Sequence, residues 1–205
     1  MKYISLPKSF VYETSDVNCW LHSARAVAGA LRIEKPIDSR KTGIEVNIGL
    51  ARPNTLCRVL QKNGFEAEVC HARQMPDAKL LDLIRRQLAY GLPPIFLVGC
   101  MWKDLIPHWV TLFGDDCQGF WIYSSDTAVQ LKNVPVGNTF MTYAQFLTRW
   151  KKLNYLRMVN MDMLYLNVKH ASLQANNCPE KKERVRELLE LNHQGMRKSH
   201  GGGIL

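Results

Sequence analysis

The chain lacks the features that define several broad protein classes. No Cys-x-x-Cys unit occurs among its six cysteines (Cys19, Cys57, Cys70, Cys100, Cys117 and Cys178). The Cys70–His71 pair has no second ligand pair at finger spacing, so no zinc site is written in the local spacing. No apolar run approaches the length of a bilayer crossing, and the best, Pro94 to Cys100, has only strand length. The opening Met-Lys-Tyr-Ile-Ser-Leu-Pro-Lys has neither the sustained apolar stretch nor the small-residue cleavage site of a secretory signal. There is no internal repeat, and no low-complexity stretch precedes the final residues. The expectation is a soluble cytoplasmic protein with reduced thiols and no metal or other cofactor. Delivery into another cell by a route that needs no signal peptide is compatible with these absences.

What is present is an ordinary globular composition over 205 residues, 46% hydrophobic and 22% charged, which suits one domain with a full core and a short appendage. The net charge of +9 favours acidic partners. Its basic residues, among them Arg25, Lys35, Arg85 and Lys151, are nevertheless scattered and carry no aromatic interleaving. The charge therefore reads as a basic surface, without a specific nucleic-acid module.

Periodicity and turn signals predict the elements. Tyr3 to Tyr12 reads as an extended arm. Ser15-Asp16-Val17-Asn18 supplies capping residues for a helix from Cys19 to Leu31. Trp20, Ala24, Val27, Ala28 and Leu31 share one face of that helix, and Ala26, Gly29 and Ala30 leave the rest small, so it is buried on more than one side. Helices are predicted over Thr55–Lys62, over Asp77–Leu88 and over Tyr143–Lys151. Strands are predicted over Phe65–Val69, Pro94–Gly99, His108–Gly114, Gly119–Tyr123 and Tyr155–Val168. A helix followed by an antiparallel sheet is an α+β arrangement. The domain is expected to span residues 1–168. Residues 169–205 form an extension with an amphipathic helix over Pro179–Leu191, a surface for a partner or for the domain itself, and a Gly-rich tail.

One constellation carries chemistry. A cysteine in the first turn of a buried helix meets unsatisfied amide groups and partial positive charge, which favour thiolate. His108 opens a predicted strand, and the next strand ends in Tyr123-Ser124-Ser125-Asp126. If the two form a hairpin, Asp126 returns towards His108 and can orient its imidazole. Each residue alone has an ordinary structural role. Together, the order of helix cysteine, strand histidine and following aspartate points to nucleophilic catalysis by Cys19.

Asn18-Cys19-Trp20 with its small-residue helix resembles the nucleophile segment of papain-like cysteine proteases. Gly91-Leu92-Pro93-Pro94-Ile95-Phe96-Leu97, Pro107-His108-Trp109-Val110-Thr111-Leu112 and the Tyr123–Asp126 end resemble two bacterial branches more closely. These are the bacteriocin-processing peptidases that cut after double glycine and the effector proteases of plant pathogens. The resemblance implies a papain-like α+β fold with the nucleophile helix packed on the sheet. It also implies a catalytic Cys19, His108 and Asp126, and a protein or peptide substrate near Asn18, Trp20 and Trp109, in a bacterial enzyme that acts as processing peptidase, effector or toxin. The family places a glutamine six residues before the cysteine to hold the oxyanion, and here Glu13 stands at that offset. An ionised carboxylate has no proton to donate. The same thioester chemistry would serve glutamine deamidation or transglutaminase-type transfer, and a papain-like module without catalysis is the remaining alternative.

Overall fold

A computed structural model describes residues 2–7, 10–12, 18–33, 37, 52–99, 106–126, 135–159 and 161–170. Glu13, the expected helix over Pro179–Leu191 and the Gly-rich tail lie outside the described residues. The elements run β1 (Lys2–Tyr3), α1 (Cys19–Ala30), α2 (Pro53–Lys62), β2 (Phe65–His71), α3 (Asp77–Ala89), β3 (Ile95–Gly99), β4 (Pro107–Asp115), β5 (Gly119–Ser124), β6 (Thr139–Thr142), α4 (Tyr143–Lys152) and β7 (Leu164–His170).

The strands form one antiparallel sheet ordered β2-β7-β3-β4-β5-β6, with β1 pairing on the outer end of β4. Alternation along the strands sorts side chains into two cores. Ile95 and Leu97 of β3 join Leu164, Leu166 and Val168 of β7 beneath α1 and α2. Phe96 and Val98 turn to the other face, with Leu80 and Ile84 of α3 and Phe146 and Trp150 of α4. A strand covered on both faces has no polar side, which is why β3 reads Ile-Phe-Leu-Val-Gly and is buried throughout. The α+β expectation holds, with helices on both faces of the sheet.

α1 follows the pattern of its sequence. Trp20, Ala24, Val27 and Ala28 enter one core, while Ala26 and Ala30 enter the other. Its C-terminus closes as a Schellman motif: Arg32 takes a left-handed φ of 58°, the Ile33 amide donates to the Ala28 carbonyl at 3.0 Å, and the Arg32 amide donates to Gly29 at 3.1 Å. A Cβ on Gly29 would stand 2.9 Å from the Phe10 ring, so glycine is what lets the N-terminal arm cross the helix. Thr142 caps α4 in a capping box with Gln145.

One expectation needs correction. The strand expected over Tyr155–Val168 begins as a 3-10 helix over Leu153–Val159, and the last strand runs from Leu164 to His170. β6 was not anticipated. The β4–β5 ladder carries a bulge between Leu112 and Gly114, with Phe113 as the extra residue, and its carbonyl accepts from the Ile4 amide at 2.7 Å.

Candidate active site

The first residue of α1 is Cys19, 2% exposed. Asn18 occupies the N-cap, and its carbonyl accepts from Leu21 and His22 at 2.9 and 3.1 Å. Its side chain is exposed and makes no cap hydrogen bond. α1 packs against β4, where the Thr111 hydroxyl donates to the Ser23 carbonyl at 3.3 Å. This contact lays the Cys19 thiol against the main-chain amide of Trp109, the residue after His108.

Burial pushes the Cys19 thiol up to about 11. The amides of Trp109, Trp20 and Cys19 itself oppose that rise, and the negative charge of Asp126 adds to it. The helix terminus was expected to favour thiolate; its donors are present, but at this depth desolvation outweighs them. At neutral pH the group is a thiol that needs a base.

His108 lies in β4 opposite Val98, with its side chain 5% exposed. The β4–β5 register pairs Val110 with Ser124, so its continuation sets position 126 opposite His108. The geometry follows: His108 Nε2 lies 3.6 Å from Asp126 Oδ1, beyond hydrogen-bond length. Beside both lies Ser124, wholly buried, whose Oγ is 3.0 Å from His108 Nε2 and donates a short hydrogen bond to Asp126 Oδ1. Asn138, also buried, brackets the Ser124 backbone by accepting from its amide at 2.9 Å and donating to its carbonyl at 2.7 Å. Beside it, Gly137 has a φ of +79°, and a Cβ there would stand 2.4 Å from the Ile122 carbonyl oxygen; its amide donates to the Tyr12 hydroxyl at 3.1 Å.

The fold thus gathers Cys19, Trp109, His108 and Asp126 from α1 and the β4–β5 hairpin. Trp20 and Trp109 share the Cys19 core and are 3% and 0% exposed, so their rings pack inward and offer no open substrate surface. Trp109 faces the thiol with its amide, and the buried Trp20 Nε1 has no hydrogen-bond partner among the described residues. Ser124 and Asn138 were missed. The first is small and unremarkable in sequence, and the second is located only by the unexpected β6. Among the described residues no group of three or more His, Cys, Asp or Glu side chains is placed to hold a metal ion, and Cys19, Cys57, Cys70 and Cys117 are outside any disulfide.

This arrangement of helix and sheet is the papain-like cysteine protease fold, as seen in double-glycine peptidase domains. The chain is similar to a double glycine motif protease of an AMS/PCAT transporter solved with its leader peptide, at 12% identity and a TM-score of 0.50, over 83% of this chain and 95% of that one. It is similar to the peptidase domain of Streptococcus ComA, a bifunctional ABC transporter of a quorum-sensing pathway, at 14% identity and 0.51, over 78% and 96%. A C39-like peptidase from Bacillus anthracis matches at 12% and 0.52, over 83% and 98%. At these identities the likeness is one of fold. No family model and no curated protein matches the sequence. No helix among the described residues is long and apolar enough to cross a membrane.

Proposed function

We propose that this chain is a cysteine peptidase in which Cys19 attacks an amide carbonyl and His108 takes the thiol proton while Asp126 orients the imidazole. The observation that carries the reading is the seat of the Cys19 thiol, at the N-terminus of α1 and against the amide that follows His108. A thiol held up to about 11 is deprotonated by His108 as the attack proceeds, so the imidazole acts as general base and then returns the proton to the leaving amine. The oxyanion would form beside the amide groups at the start of α1, with water then hydrolysing the thioester. The leader peptide bound by one structural neighbour supports an extended peptide carrying a double-glycine sequence as the substrate class. A papain-like binding module is the second reading, favoured by the raised thiol.

Cleavage of a synthetic peptide carrying a double-glycine sequence tests the choice. The parent is expected to cut it, and Cys19→Ala and His108→Ala each to abolish the cut while the peptide still binds. If the parent binds the peptide without cutting it, the binding module is the better description.

A further inference from the structure

We infer that Ser124 is a positioning residue, a hydroxyl relay through which Asp126 fixes the proton on His108 Nε2. The inference rests on the peptidase reading for its consequence but on geometry for its substance. The carboxylate lies 3.6 Å from the ring nitrogen, whereas the Ser124 hydroxyl stands 3.0 Å from that nitrogen and also bonds Asp126. An ionised carboxylate only accepts hydrogen bonds, so the Ser124 O–H must point to Asp126. Its oxygen then has only lone pairs for the ring, and Nε2 must carry the hydrogen. In the neutral imidazole the lone pair therefore belongs to Nδ1, which the peptidase reading makes the acceptor of the Cys19 proton. When Nδ1 takes it, the positive charge on the ring is balanced through one hydroxyl by Asp126, with no second proton moved.

The surroundings are built for a fixed hydroxyl. Ser124 is wholly buried, and the two Asn138 side-chain bonds hold its backbone where β5 ends.

The test is ¹⁵N NMR of His108 in the full chain carrying Cys19→Ala, with and without Ser124→Ala, beside peptide cleavage by the proteins that retain Cys19. The relay requires the Nε2–H tautomer in the parent and its loss or mixing in Ser124→Ala. It also requires a fall in kcat of roughly tenfold or more at nearly unchanged KM. Because the groups act in series, Ser124→Ala/Asp126→Ala should lose no more than Asp126→Ala alone. An Nδ1–H tautomer in the parent, a tautomer that ignores Ser124→Ala, or losses that multiply in the double variant would overturn the relay. The NMR arm reads a protein without its nucleophile, so it stands even if no peptide is ever cleaved, an outcome that would instead sink the peptidase reading.

Discussion

Cys19 and Cys70 lie equally deep, 2% and 1% exposed, and burial raises both thiols, to about 11 and about 12. Their neighbours differ because their elements differ. Cys70 sits near the end of β2 opposite Tyr165, where the Tyr165 hydroxyl and the Asn167 amide favour its thiolate but burial and the negative charge of Glu68 outweigh them. Cys19 begins a helix, the one place where several amides lack partners of their own. The histidines repeat the contrast. His71 follows Cys70 directly, yet successive strand residues face opposite sides, so adjacency in sequence separates the two side chains. His108 is remote from Cys19 in sequence and next to it through the Trp109 peptide. Depth therefore holds both thiols in the neutral form, and what sets Cys19 apart is its place at a helix N-terminus, against the amide of the residue that follows His108.

The sharpest way to break this comparison is to remove each sulfur in turn. Cys19→Ala should lower peptide turnover by more than about a thousandfold, whereas Cys70→Ala should leave kcat within about twofold. Equal losses in a cleavage assay would make depth, not surroundings, the determinant. Alkaline stability gives a smaller effect. A thiol whose folded pKa exceeds its unfolded value contributes stability that is whole below about pH 9, the ordinary thiol value, and is lost as pH climbs through 11 for Cys19 and 12 for Cys70. Urea midpoints measured from pH 8 to 10.5 should fall with pH, and less steeply in Cys70→Ala; an unchanged slope would mean that Cys70 ionises normally in place. The smallest effect is expected from Glu13→Gln, which restores the glutamine that papain-like proteases carry six residues before the cysteine. Its cleavage rate should match or exceed the parent, within about threefold, and a large fall would assign the carboxylate itself a role.

Much of the fold was legible because its signals are local. The alternating small residues from Ala24 to Ala30 declare a helix buried on two sides, and the unbroken apolar run of β3 declares a central strand. The meeting of His108 and Asp126 followed from expecting a hairpin between two adjacent strands. What escaped depends on distant partners. Thr139–Thr142 is too short and polar to stand out, and becomes a strand only because β5 offers it an edge. Leu153–Val159 alternates enough to suggest extension, but the chain is turned there into a 3-10 helix before β7 begins. The state of the Cys19 thiol turned on how far α1 sinks against β4, a tertiary quantity that the helix position alone does not give. Ser124 gained meaning only from a ring-to-carboxylate separation of 3.6 Å, just beyond direct hydrogen-bond length.

The bulge at Phe113 has a further consequence. Near the turn, Gly114 pairs with Trp121 and Asp115 with Phe120; past the bulge, Val110 pairs with Ser124. Carried inward without the extra residue, the outer register would set position 127 against His108 in place of 126. Since neighbours along a strand face opposite sides, one residue more or fewer between His108 and Asp126 would swing the carboxylate and Ser124 away from the ring together, and two would bring the same face back displaced along the strand. The hairpin acts as a parity check. Its length is counted in steps of two, and the site is stored in that count as much as in any side chain.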